Sequence, residues 1–167
     1  MSRRAPIHRN PKRPASRRRA DYSRLIHAAR AVRRHAYAPY SHFPIGAAVL
    51  ASDGSIYAGA NVENASFGLT QCAERVALQT AVVSGRRRLR AVAIAGPAGI
   101  SPCGACRQVM AEFGVRTVIL APPAGAPAIV PLAELLPHPF GGPDGPRRAA
   151  RVFAGRSGRR RRSRAGL

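Results

Sequence analysis

The chain has no tryptophan and one lysine, Lys12, among its 167 residues. Seven residues are acidic and three are cysteine. No stretch approaches the ~18 uninterrupted apolar residues that a membrane helix needs, which argues against a membrane span. The N-terminal charges have no apolar run behind them, so they do not read as a secretory signal. An odd number of cysteines does not make a complete disulfide framework, and a reduced, cytoplasmic setting is the expectation.

The near-absence of acid leaves a net charge of +21, and its location matters. Residues 1–20 carry +8, residues 141–167 carry +8 and the middle, 21–140, only +5. Both ends are also rich in Pro, Gly and Ser, and blocks such as "RSGRRRRSR" (Arg156 to Arg164) cannot bury apolar area. We therefore expect a domain at 21–140 between two disordered, Arg-rich tails. The tails have the charge to bind nucleic acid or another polyanion. A compositional bias explains them better, because nearly every basic residue is Arg amid abundant Ala, Gly and Pro.

Within the middle, Leu25, Ile26, Ala28, Ala29 and Val32 recur at helical spacing, predicting a helix from Asp21 to about Tyr37 with Asp21 favouring its N-terminal dipole. "IGAAVLAS" and "IYAGANV", separated by a tight turn at residues 52–55, read as a hairpin. A second helix runs from Cys72 to about Ser84, with Gly85 as its C-terminal cap. "RAVAIAG" is a strand, "PCGACRQVMAEFG" a helix with Pro102 at its start, and "RTVILA" a buried strand. A short Pro/Gly link then suits an antiparallel return through "PAIV", and "PLAELLP" supplies a turn or two of helix. The sum is a layered α/β domain with a mixed sheet of about five strands.

Cys103 and Cys106 lie one helical turn apart at the start of a helix that follows a strand, and Cys72 starts another such helix. Helix N-termini favour thiolate, the form that binds metal. Parallel strands would bring two helix starts to the same end of the sheet. Three readings compete. A thioredoxin-like Cys-x-x-Cys leaves Cys72 unexplained and lacks the usual Trp. A closed structural zinc site needs a fourth ligand, which only His8, His27, His35, His42 or His138 can supply, none at motif spacing. Three protein ligands plus water is the arrangement of catalytic zinc.

Glu74 weights the third reading. A Cys-x-Glu followed by Pro-Cys-x-x-Cys is the signature type of zinc nucleobase deaminases, in which a carboxylate that is not a ligand moves protons. The segments "YSHFPIGAAVLASDGSIYAGANVENASFGLTQCAERVALQTAV" and "ISPCGACRQVMAEF" closely resemble the small homotetrameric cytidine deaminases, and "LLPHPFGGPD" looks like their C-terminal motif. The resemblance covers about Asp21 to Phe140 and implies a three-layer α/β/α fold around a mixed five-stranded sheet.

That resemblance implies one zinc per subunit on Cys72, Cys103 and Cys106, with Glu74 as proton shuttle in hydrolysis of cytidine and deoxycytidine to the uracil nucleosides and ammonia. Arg75 would offset the surplus negative charge that three thiolates leave around a divalent ion. Asn61 and Glu63, in "NVEN", share one face of an extended strand and would grip the ribose. Phe43 would stack on the pyrimidine, as would Phe140 from a neighbouring subunit, and the backbones of Ala73 and Ser101 would read the base edge. Phe67 stands where many relatives have tyrosine, so a hydroxyl contact near the sugar's 5′ end would be missing; His138-Pro139 precede Phe140 and would shift its ring. The alternatives are a deaminase of a cytosine nucleoside antibiotic, a nucleic-acid deaminase recruited by the basic tails, or a non-catalytic nucleic-acid-binding protein with structural zinc.

Overall fold

The computed structural model describes residues 14–97 and 99–141. His8 and most of both expected tails, with the Arg156 to Arg164 block, lie outside the described residues. The first helix, α1, spans Ala15–Val32. It starts ahead of the expected boundary at Asp21, because the Pro14 carbonyl accepts from the N–H groups of Arg17 and Arg18 and opens the helix there. The apolar stripe begins only at Leu25, nearly three turns later at about 3.6 residues per turn, which is why periodicity misplaces the start. Asp21 is therefore not a terminal residue. It is buried against the sheet, 3.9 Å from Nη1 of Arg90. With Leu25 and Ala29 it forms an i, i+4 row facing inward. A short 3-10 turn, Arg33–His35, ends the helix before the expected Tyr37.

The strands are β1 (Gly46–Ala51), β2 (Ile56–Ala60), β3 (Leu89–Ala95), β4 (Thr117–Ala121) and β5 (Ala128–Pro131). The remaining helices are α2 (Ala73–Val83), α3 (Gly104–Glu112) and the single turn α4 (Leu132–Leu135). The five strands make one mixed sheet in the order β2-β1-β3-β4-β5. β1 is antiparallel to both β2 and β3, β3 is parallel to β4, and β4 returns antiparallel to β5.

Each central strand alternates its side chains between two cores. Ala48 and Leu50 of β1, Ala91, Ala93 and Ala95 of β3, and Ile119 and Ala121 of β4 pack with Leu25 and Ala29 of α1. Ala47, Val49, Val92, Ile94 and Val118 face the other way, onto Ala77, Leu78 and Ala81 of α2 and Cys106 and Met110 of α3. The three layers are thus α1, the sheet, and α2 with α3. Each fully buried Leu, Ile, Val or Met contributes roughly 1.5–3 kcal/mol of transfer free energy.

Two glycines set how close the helices come. A Cβ on Gly46 would lie 2.1 Å from the Ala29 carbonyl oxygen, and one on Gly59 would lie 2.5 Å from the Ala77 nitrogen. The β1–β2 hairpin is therefore held between α1 and α2 at backbone contact, where no larger residue fits.

The topology also places the site. β2 and β3 are not neighbours, but both run antiparallel to β1 and so point the same way. Each leads by a loop into a helix on the same face of the sheet. The starts of α2 and α3 therefore meet at one end.

Candidate active site

Cys72 is the N-cap residue of α2 and Cys103 that of α3, both in extended backbone, and Cys106 lies in the first turn of α3. The three sulfurs lie within 4.8 Å of one another, with Cys72 and Cys103 3.9 Å apart. All three are free thiols. Thiolates held at about 2.3 Å in a tetrahedron around zinc sit roughly 3.8 Å apart, so this donor set fits that ion. Among the described residues no histidine or carboxylate joins the group, leaving three protein donors.

The sulfurs share their protons unequally. A hydrogen bond from the Cys106 thiol, against the effect of burial, pushes Cys72 down to about 5, with Arg75 and Cys103 helping. The bond to Cys72, burial and the charge of Glu74 push Cys106 up. A divalent cation takes the place of such shared protons when thiolates bind it.

Glu74 occupies the first turn of α2 and is 5% exposed. Burial, reinforced by the Cys72 charge, raises its carboxyl above the ordinary value, while its own backbone N–H and the Cys106 thiol pull the other way. A buried carboxyl with a raised pKa, set against a metal-binding cluster, is suited to accept and return protons. Nη2 of Arg75 donates to the Thr70 carbonyl at 2.8 Å and lies 3.9 Å from Cys72 Sγ, which brings positive charge to the sulfurs.

The remaining candidate residues fall into two groups. Asn61 and Glu63 follow β2 and are both buried, with exposed Val62 between them, so the alternation of "NVEN" holds. Their polar atoms are engaged within the chain. Oδ1 of Asn61 accepts from the Ile45 N–H at 2.8 Å, and its Nδ2 donates to the Phe43 carbonyl at 3.1 Å. Oε2 of Glu63 accepts from the N–H groups of Tyr40 and Ser41, and Oε1 from the Ser41 hydroxyl. That hydroxyl, against burial, keeps the Glu63 carboxyl below its ordinary value, and the two N–H groups and the charge of His42 add to it. The same hydroxyl accepts from the Phe43 N–H at 3.1 Å. Asn61, Glu63 and Ser41 thus shape the 40–45 loop that presents Phe43, whose ring is partly exposed. Ser41 has no motif of its own. A serine beside Tyr and His reads as loop filler until its partner, 22 residues on, is seen.

The second group lies on α3. Arg107 donates from Nε to the Pro102 carbonyl, from Nη2 to the Ser101 hydroxyl and from Nη1 to the Leu135 carbonyl, at 2.8, 3.1 and 2.8 Å. It fixes the loop that enters α3 against the C-terminal end of α4, and sequence spacing gave no sign of that link. Phe140 is 89% exposed, with its backbone tied to Gln108. Phe67 is also exposed, with its ring 6.1 Å from that of Tyr40. Ala73 is buried as the first residue of α2, and Ser101 is exposed.

Comparison with known proteins agrees with this geometry. The family described as "Cytidine and deoxycytidylate deaminase zinc-binding region" matches residues 19–122. The cytidine deaminase of Sporosarcina psychrophila is 47% identical over 126 residues, covering 72% of this chain and 91% of its own. That of Halalkalibacterium halodurans is 48% identical over 124 residues, covering 72% and 94%. The crystal structure of cytidine deaminase from Burkholderia pseudomallei superposes with a TM-score of 0.68 at 46% identity, over 71% of this chain and 98% of that one. With its mixed five-stranded sheet, its cysteine cluster and these relatives, the chain belongs to the cytidine and deoxycytidylate deaminase family that carries this zinc-binding region.

Proposed function

We propose that the protein hydrolyses cytidine and deoxycytidine to uridine and deoxyuridine with release of ammonia, as a cytoplasmic pyrimidine-salvage enzyme working as a homotetramer with one zinc per subunit. The observation that carries this reading is the convergence of Cys72, Cys103 and Cys106 within 4.8 Å, beside the buried Glu74. The three cysteines would hold the ion. Zinc in such a site supplies Lewis-acid polarisation and acidifies water.

The chain's own residues do the rest. Glu74 accepts a proton from the attacking water and delivers it to ring N3 as the water oxygen bonds to C4; it then relays the proton of the new C4 hydroxyl to the amino group, whose C–N bond breaks to release ammonia and leave the C4 carbonyl. Burial raises the Glu74 carboxyl above its ordinary value, which makes the carboxylate a better acceptor of the water's proton. Arg75 offsets the negative charge of the thiolates. Phe43 stacks on the base from the loop that Asn61, Glu63 and Ser41 shape, with Asn61 and Glu63 flanking the ribose. Backbone groups of Ala73 and Ser101 read the base edge, and Phe140 closes the site of a neighbouring subunit.

The test is ammonia release from cytidine by the full chain and by Glu74→Gln, with zinc measured in both. We expect the same zinc content and a kcat lower by about 10²–10⁴-fold in the variant, the usual contribution of a positioned acid–base group. A fully active Glu74→Gln would remove Glu74 from the mechanism, and no conversion by the zinc-loaded parent would remove the substrate assignment. A variant lacking residues 1–13 is expected to keep full activity. That cut lies ahead of α1, whereas a cut at Asp21 would remove its first turn and a half.

A further inference from the structure

We infer that Gln108 is the positioning residue for Phe140: its amide fixes the Phe140 backbone to the helix that carries Cys103 and Cys106, and so aims the exposed ring at the site of a second copy of this chain. The inference rests on the proposed role of Phe140.

Gln108 makes two hydrogen bonds to one residue. Its Nε2 donates to the Phe140 carbonyl at 3.1 Å, and its Oε1 accepts from the Phe140 N–H at 2.9 Å. An amide is the side-chain group with a donor and an acceptor side by side, so it pairs with a backbone unit as a neighbouring strand would. The pairing constrains both φ and ψ of Phe140 and hence the direction of its Cα–Cβ bond.

Nothing among the described residues asks for this. The ring is 89% exposed, so the two bonds hold a backbone whose side chain buries little against its own chain. Immediately afterwards Gly141, at φ 86°, turns the chain in the left-handed region. Upstream, Arg107 on the same helix donates to the Leu135 carbonyl. Consecutive residues of α3 therefore strap the 135–140 segment at both ends. The frame that places Phe140 is the one that places two of the three sulfurs, since Cys103 caps α3 and Cys106 lies in its first turn. An aromatic ring held in its docking pose before a partner arrives loses less conformational freedom on docking, and that gain appears as affinity.

The experiment is steady-state kinetics on cytidine with the zinc-loaded full chain, Phe140→Ala, Gln108→Ala, Gln108→Glu and the double variant Gln108→Ala/Phe140→Ala. Zinc content, oligomeric state and melting temperature are recorded for each. Phe140→Ala is expected to raise KM about tenfold, on the scale of one lost aromatic contact. Gln108→Ala should raise KM about three- to tenfold with kcat and zinc content kept. Gln108→Glu keeps the acceptor for the Phe140 N–H but sets a carboxylate against its carbonyl, so its KM should fall between those of the parent and Gln108→Ala. In the double variant Gln108→Ala should add nothing to Phe140→Ala, because it acts through that ring. An unchanged KM in Gln108→Ala beside a raised one in Phe140→Ala overturns the inference and leaves the Phe140 reading standing. Full additivity in the double variant also overturns it. An unchanged KM in Phe140→Ala removes the Phe140 reading, and the inference with it.

Discussion

Asn61 gives the sharpest test of how the site is built. Its side chain can be a contact to the sugar, a staple for the Phe43 loop, or both, and truncation to alanine separates these. The substitution removes the 2.8 Å bond from the Ile45 N–H and the 3.1 Å bond to the Phe43 carbonyl. Ile45 is buried, so its N–H is left without a partner at a cost of roughly 1–3 kcal/mol. The Phe43 carbonyl is nearer the surface, can bond to water instead, and adds about 0.5–1 kcal/mol. The total is about 2–4 kcal/mol, equivalent to a melting temperature lower by roughly 6–15 °C for a domain of this size. Asn61→Asp keeps the acceptor for Ile45 but faces the Phe43 carbonyl with a carboxylate, so it should fall between parent and Asn61→Ala. The assay is thermal unfolding with excess zinc, paired with KM for cytidine on the same preparations. A staple predicts that stability falls and KM rises together, since the loop carrying Phe43 loosens. An Asn61→Ala that melts within about 2 °C of the parent refutes the hydrogen-bond argument, because that shift is well below the cost of one buried unpaired N–H.

Other expectations follow from the same geometry. Gly46→Ala places a methyl 2.1 Å from a backbone oxygen of α1, so the helix must move; a loss of about 1–3 kcal/mol in denaturant unfolding is expected, while Gly104→Ala, with open space around it, should be within about 0.5 kcal/mol of the parent. Arg75→Gln should weaken zinc retention about 10–100-fold in a competition titration with a chelator, with no effect expected if the guanidinium serves only the Thr70 carbonyl. The hydrogen bonds hold the folded-state pKa of Glu63 below its ordinary 4.5, so its stabilising contribution is complete above that pH and is lost as pH falls through the lower folded value. Glu63→Gln should accordingly flatten the acid limb of a pH–stability profile below about pH 4.5, and an unchanged limb would show that the carboxylate does not hold the 40–41 turn.

Much of the site was legible in the sequence because its chemistry is local. Cys72 and Glu74 are two residues apart, Cys103 and Cys106 three, and helix N-termini are marked by their flanking turns. The five strands could be read because β1, β3 and β4 are short apolar runs bounded by Gly, Pro and Arg. What periodicity could not supply was anything fixed by a partner far along the chain. The start of α1 depends on the Pro14 carbonyl rather than on the apolar stripe, and Asp21 lies inside the helix, buried against the sheet, rather than at its N-terminal dipole. The sequence pattern offers Asn61 and Glu63 as sugar contacts, and their bonds to residues 40–45 become visible only once β1 and β2 pair. Ser41, Arg107 and Gln108 escape the sequence for the same reason: a polar residue on a loop or helix flank carries no sign of a partner 22, 28 or 32 residues away.

The proposed sugar contact of Asn61 and Glu63 is tied to a second task, holding the 40–45 loop, and that bears on how freely such an enzyme can change its substrate. A position that only touches the sugar can drift, and selection can try new side chains there one at a time. These two cannot, because any replacement there also removes the bonds that give the Phe43 loop its form. New sugar preferences would then have to arise at positions without such bonds, such as Phe67, which is 75% exposed and whose ring contacts only that of Tyr40 among the described aromatic pairs. Directed libraries that spare 61 and 63 and vary such positions should yield far more folded, zinc-retaining variants than libraries centred on the pair.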